Sequence, residues 1–368
     1  MKKPNVRIIA SYLPQFHPIP ENDQWWGKGF TEWTNVGKAK PLFRGHDQPR
    51  VPTDLGYYDL RLPETRQAQA DLAREYGVEA FCYWHYWFGN GNRLLERPFN
   101  EVLASGQPDF PFCLGWANHS WEDKQFSKDG TNRLLIKQEY PGEADHRLHF
   151  DTLLPAFKDK RYVRVDGKIL FYIHSPLNIP DLDLFLANWQ KWAKENELNG
   201  FHFVASTHHL NEIDVLISRG FSAVNIVRLF HFITKEYSLP VRAYMKIMRV
   251  VFKRGRFVDY GKLFKYFHGD EDKLNHVYPC LFPNWDHSPR SGRRAHIFIN
   301  AQPKFFKKHV KNVLNQVNHK PEEHRIIFLR SWNEWAEGNY MEPDLTYGRG
   351  YLEALKETLE ENSNLTGQ

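Results

Sequence analysis

Glu334 and Glu337 lie in the run LRSWNEWAEGNYMEPD (329–344), and their spacing is the first hint of chemistry in the chain. Cleaving a glycosidic bond needs two carboxyl groups astride it, about 5–5.5 Å apart for retention of configuration and about 6.5–9.5 Å apart for inversion. If NEWAEG forms one helical turn, the i,i+3 spacing brings the two Cβ atoms within about 5–6 Å. Like-charge crowding would then raise one pKa and leave that carboxyl a proton donor. Trp332 and Trp335 flank the pair; an indole packs on the C–H face of a pyranose while acids and amides bind its hydroxyls. Acids at this spacing also open helices, because carboxylates favour helix N-termini. The two tryptophans and Asn333 turn the reading toward a site, with Glu342 as a spare acid, a loop residue or a partner for a substrate hydroxyl.

The elements needed to hold this run can be read from apolar patterning. Eight β-rich stretches, at 6–13, 78–87, 111–118, 168–174, 201–207, 223–227, 277–282 and 325–332, are mostly continuous apolar runs, as strands buried on both faces are. Helical patterns separate most of them, at 63–77, 181–200, about 211–219, 302–317 and 349–361. This alternation predicts one α/β domain over 1–368, a single (β/α)8 TIM barrel with elaborated βα loops and a helical, basic insertion (241–275) between strands 6 and 7. A doubly wound sheet is the alternative, but no glycine-rich phosphate turn follows the first strand.

Ten of the twelve tryptophans then fall just past a strand's carboxyl end, the rim where barrel enzymes build their sites. The alternative is that these indoles fill the layer between barrel and helices. Candidate substrate-binding residues on the rim are Trp26, Glu32 and Trp33 after strand 1, and His85 and Trp87 at the end of strand 2. Trp116, Asn118, His119 and Trp121 end strand 3, Trp285 and Asp286 follow strand 7, and Trp332, Asn333, Trp335 and Glu342 follow strand 8. For each polar candidate a satisfied loop or core role competes with a hydroxyl ligand.

Composition narrows the classes further. The net charge of +5 is modest, and aromatic content, at 15%, is the outlier. No stretch approaches the roughly 20 apolar residues of a membrane-spanning helix, and the start reads as the first strand rather than a signal peptide. Cys82, Cys113 and Cys280 sit in strand-like runs, as reduced core thiols do, so a cytoplasmic chain is the expectation. HExxH, P-loop and GxSxG motifs are missing, and no cofactor or metal is called for. Asp181-Leu182-Asp183 matches a DxD, but it opens a helix after Pro180, so capping explains it better.

The segments SYLPQFHPIPENDQWWGKGFTEWTNV, FCYWHYWFGNGNRLLERP, PFCLGWANHSW, PNWDHSPR and WNEWAEGNYMEPDLTYGRGYLEAL span residues 11 to about 355. Together they resemble the WbsX-type family, related to glycoside hydrolase family 99 and often labelled as glycosyltransferases of lipopolysaccharide biosynthesis. The resemblance implies a (β/α)8 barrel acting on carbohydrate, with the two glutamates of N-E-W-x-E-G catalytic, here Glu334 and Glu337. It further implies that Glu334 deprotonates the sugar's 2-hydroxyl, which attacks C1 to give a 1,2-anhydro sugar, while Glu337 serves as acid and then base. That chemistry needs O2 trans to the leaving group, as in α-mannosides and α-rhamnosides. Family members commonly carry an acid after WAN, where this chain has His119.

The leading expectation is a retaining glycoside hydrolase or transglycosylase of a bacterial polysaccharide. The alternatives are a sugar-nucleotide-dependent glycosyltransferase of O-antigen assembly and a non-catalytic carbohydrate-binding barrel. The basic stretch 241–267 mixes Arg and Lys with Met, Val, Phe and Tyr. It suits peripheral contact with an anionic membrane, on the inner-membrane side for a cytoplasmic chain, or a solvated elaboration of the rim. No nucleic-acid-binding motif accompanies the charge, and oligomeric state is not legible.

Overall fold

A computed structural model describes residues 5–123, 133–251 and 255–366. Residues 252–254 of the basic insertion lie outside the described residues.

The eight apolar runs form one parallel barrel. Its strands are β1 (Arg7–Tyr12), β2 (Ala80–Trp87), β3 (Phe112–Trp116), β4 (Lys168–Ile173), β5 (Phe201–Thr207), β6 (Ala223–Ile226), β7 (Val277–Tyr278 and Cys280–Leu281) and β8 (Ile326–Leu329). Pro279 splits β7, since proline has no N–H for the ladder. The first half pairs with β6 and the second with β8, while β1 pairs with both β8 and β2, so the ring runs through all eight positions. Strands covered on both faces have no polar side, and β2 is accordingly buried at every position.

Outside the barrel run α1 (Pro63–Glu75), α2 (Arg97–Ser105), α3 (Glu143–Lys158), α4 (Leu182–Glu195), α5 (Ile213–Ser218), α6 (Leu239–Val250), α7 (Pro303–Val317) and α8 (Gly350–Thr366). Proline stands in the first turn of α1, α2, α6 and α7, where its missing N–H costs nothing. Helices α2 and α3 were not expected; Pro155 inside α3 breaks its pattern. Asp181 does occupy the N-cap position of α4, but its side chain makes no capping bond and lies 3.5 Å from His146 Nε2.

The insertion is only partly helical. Arg256–Asp259 is a strand, pairing in parallel with His296–Ile299 beyond β7. At the end of β8, NEWAEG is not one turn of α-helix. Asn333–Glu334 pairs antiparallel with Asn339–Tyr340, and the 3-10 turn Trp335–Glu337 closes the loop.

Candidate active site

The carboxyl ends of the strands surround a cleft of about 410 Å³, and both expected glutamates line it. Their loop is pinned on three sides. Asn333 accepts from the Leu13 N–H (2.7 Å) and donates to the Leu13 carbonyl (3.0 Å), tying β8 to the end of β1. Ser331 Oγ accepts from the Glu334 N–H (3.0 Å) and donates to the Asn339 carbonyl (2.8 Å). Trp335 stacks on Tyr340 with ring centres 3.8 Å apart. Gly338 has φ +58°, and a Cβ there would come within 2.7 Å of the Asp286 Cβ, so glycine is required twice over. This close approach lets the Asp286 N–H donate to the Glu337 carbonyl (2.7 Å).

Arg290, on the short helix Ser288–Ser291, joins the acids. Its guanidinium reaches Glu32 (2.9 Å), Glu334 (3.3 Å) and, most closely, Glu337. His287 Nε2 lies 3.6 Å from the Glu337 carboxylate. Burial opposes charge on both glutamates, and their neighbours split them. Glu334 is raised by desolvation and by the Glu337 charge, against Arg290. Glu337 is lowered because Arg290 and then His287 outweigh its burial. The pair therefore titrates as a unit, with its surroundings favouring the proton on Glu334 over Glu337.

Of the expected substrate contacts, Trp26, Glu32, His119 and Trp121 line the cleft with the two glutamates. The others do not. His85 and Trp87 point outward from β2: His85 shares a hydrogen bond with His149 (2.8 Å), and Trp87 donates to Asp145 (3.0 Å) and stacks on His149. Trp116 is buried in the same barrel-to-helix layer, donating to the Trp87 carbonyl. Asn118 ties β3 to β4 through the N–H and carbonyl of Ser175. Trp33 packs on Phe16, Tyr58 and Trp335, and Trp332 on Phe81, beneath the cleft. Asn333 and Trp335 support the loop of the two glutamates from behind.

Asp286 and Glu342 are structural acids. Burial opposes the Asp286 charge, but bonds from His46, Gln48 and Ser288 and the charge of Arg50 bring its pKa to about 2. Glu342 accepts from Trp335 Nε1 (2.6 Å), Gln69 (2.6 Å) and Tyr58 (2.9 Å), and burial raises it to about 7 despite them. Trp285 faces a second rim cavity with Phe230, His287 and His296.

Arg290, Arg330, Trp84, Tyr86 and His174 complete the cleft and were not among the expected site residues. Trp84 and Tyr86 belong to the opposite parity of β2 from His85 and Trp87, as strand side chains alternate faces. Inside the barrel, a Cβ on Gly115 would sit 3.2 Å from the Trp84 ring, so that glycine makes room for the indole. Among the described residues, no cluster of three or more His, Cys, Asp or Glu is placed to hold a metal ion.

The profile of the family described as glycosyltransferase WbsX matches residues 8–355. The chain belongs to the WbsX family. Two curated relatives, both described as uncharacterized protein WxcX, come from two strains of Xanthomonas campestris pv. campestris. Each is 36% identical over 358 residues, 96% of this chain and 49% of the relative. The chain thus spans about half the length of these curated relatives. Among solved structures, the GH99 endo-α-mannosidase of Bacteroides thetaiotaomicron has a TM-score of 0.57 at 14% identity, covering 98% of this chain and 99% of that one. A glycoside hydrolase-like protein reaches 0.59 at 16% identity, covering 96% and 94%. At such identities the likeness establishes the WbsX chain's barrel.

Proposed function

We propose that this chain is a retaining glycoside hydrolase or transglycosylase of α-mannosidic or α-rhamnosidic polysaccharide. Glu334 and Glu337 are its acid–base pair. The observation that carries this reading is that both carboxylates contact one guanidinium in a cleft lined by Trp26, Trp84, Tyr86 and Trp121.

In the first step Glu334 takes the proton of the sugar's 2-hydroxyl and O2 attacks C1. The C1–O bond to the departing sugar breaks, and Glu337 gives its proton to the leaving oxygen. Water then opens the 1,2-anhydro sugar at C1; Glu337 takes the water proton and Glu334 returns its own to O2. Two inversions at C1 give net retention.

The free site holds its proton on the other glutamate, because Arg290 and His287 keep Glu337 ionised. A sugar entering between the carboxylates displaces Arg290 toward Glu32, which lets the shared proton pass from Glu334 to Glu337. No net proton is then taken up on binding.

The test is product analysis on a panel of α-mannans and α-rhamnans without nucleotide sugars. Fragments from the wild type but not from Glu337→Gln support the reading. Equal fragments from both, or products only when a nucleotide sugar is supplied, contradict it. The family's description as a glycosyltransferase favours the second reading, transfer to a sugar hydroxyl; dependence on a nucleotide sugar is its signature.

The substrate of this reading is presented at an anionic membrane surface. Leu239, Val241, Tyr244, Ile247 and Val251 are all exposed on or just after α6, beside Arg242 and Lys246. No acid occurs between Glu236 and Asp259. Apolar side chains flanked by cations suit a helix lying in the headgroup region; among the described residues no helix is long and apolar enough to cross a membrane. Sedimentation with phosphatidylserine vesicles at low salt, lost in Tyr244→Asp/Ile247→Asp, is the expected result. No sedimentation, or equal binding to neutral vesicles, ends the idea.

A further inference from the structure

The two arginines of the cleft are in opposite circumstances. Arg290 is occupied by three carboxylates. Arg330, at the end of β8, makes no ion pair with any described residue, and its Nη1 is buried without a hydrogen-bond partner. Its guanidinium lies 5.6 Å from the centre of the Trp84 ring. The edge of that indole meets His174 at 5.7 Å, and His174 meets His119 at 5.4 Å. His174 Nδ1 is also buried and unpartnered. Trp84, His119, His174 and Arg330 all line the cleft, from the ends of β2, β3, β4 and β8.

Arg330 is half-buried, but a guanidinium nitrogen buried without a partner is still costly, and charge-assisted bonds to an oxyanion compensate such a group far better than neutral hydroxyls do. Glu334 and Glu337 act on Arg330 through their charge, but neither forms an ion pair with it. Trp84 lies within cation–π reach of the guanidinium, and an arginine presents a fork of N–H groups that matches a planar or tetrahedral oxyanion.

We propose that this wall is a subsite for an anionic group on the substrate, a carboxylate or a phosphate bound by Arg330 and His174, so that the glycan handled here is acidic. The proposal rests on the cleft being a glycan site, as proposed above. Two sources supply such an oxyanion: a uronic acid within the polymer, or the phosphate of a glycosyl phosphate donor.

Calorimetric titration of the full chain separates them, with mannuronate trimer, mannose 1-phosphate and neutral mannotriose as probes. The expected result is that one anionic probe binds about tenfold more tightly than mannotriose, a preference of about 1.4 kcal/mol. Preference for the trimer identifies a uronate and preference for the sugar phosphate a glycosyl phosphate. Arg330→Met is expected to erase the preference and Arg330→Lys to keep part of it. Should Arg330→Met fold poorly, salt carries the test: the wild-type preference must shrink as sodium chloride rises, and a salt-insensitive preference counts against an ionic contact. Equal affinity for charged and neutral probes, or failure of both anionic probes to bind, overturns the proposal. Because cleavage is not read, a chain that binds acidic glycans but cuts none keeps the subsite and loses the hydrolase. Cleavage of neutral mannan without anionic preference does the reverse.

Discussion

Glu337 and Glu342 stand on one short loop, Glu337 facing the cleft and Glu342 buried, and their surroundings push their pKa values in opposite directions. Glu337 meets a guanidinium and an imidazole and stays ionised. Glu342 meets an indole, a side-chain amide and a phenol, all neutral donors, and its pKa rises to about 7. The contrast is one of partners: neutral donors leave burial to raise Glu342, whereas a guanidinium and an imidazole outweigh it at Glu337. Glu334 sits between these cases, raised by desolvation and by its ionised partner but still in touch with Arg290.

The sharpest way to break the comparison is to neutralise each acid in turn. Glu337→Gln and Glu334→Gln should each reduce turnover roughly 10²–10⁴-fold, the usual worth of a positioned acid or base, with circular dichroism unchanged. Glu342→Gln should keep most activity per folded molecule and lower stability by about 1–3 kcal/mol, the cost of mismatched buried donors. Gly338→Ala comes next. Positive φ and the clash with Asp286 should cost about 1–3 kcal/mol and lower kcat by displacing Glu337, read from urea melts and initial rates together.

The pH dependence of stability separates the acids again. Glu342 titrates near 7 in the folded chain against an ordinary 4.5. Between those values the native state holds a proton that the unfolded chain has lost, so stability falls as pH rises through the window. Glu334 acts in the same direction. Glu342→Gln should therefore flatten part of the decline in Tm between about pH 5 and 8, and Glu334→Gln a further part. Glu337 and Asp286 act oppositely: their contributions are present above the ordinary carboxylate values and are lost as pH falls toward 2. The smallest effect tests β2. Trp84→Phe should raise KM severalfold, whereas Trp87→Phe should leave KM alone and cost about 1 kcal/mol for its lost bond to Asp145.

The barrel was legible because parallel strands leave long apolar runs, and all eight appear where they were expected. The glutamate pair was legible because acids seldom share a loop with tryptophans. Parity was not: FCYWHYWF is apolar or aromatic on both faces of β2, so nothing local says that Trp84 and Tyr86 face the cleft while His85 and Trp87 face the helices. Asn118, Asn333 and Asp286 lie at the rim but hold backbone and loops, a role that only their hydrogen bonds reveal. Arg290 and Arg330 escaped notice because an arginine shows its purpose through what surrounds it, and the acids around Arg290 come from distant parts of the chain.

The most direct test of the central claim is the anomeric configuration of the first product, followed by proton NMR as the wild type acts on its α-mannan or α-rhamnan. The account predicts that the α-anomer appears first and then mutarotates, with no nucleotide sugar present. A β-anomer appearing first, or product formed only after a nucleotide sugar is added, would contradict it.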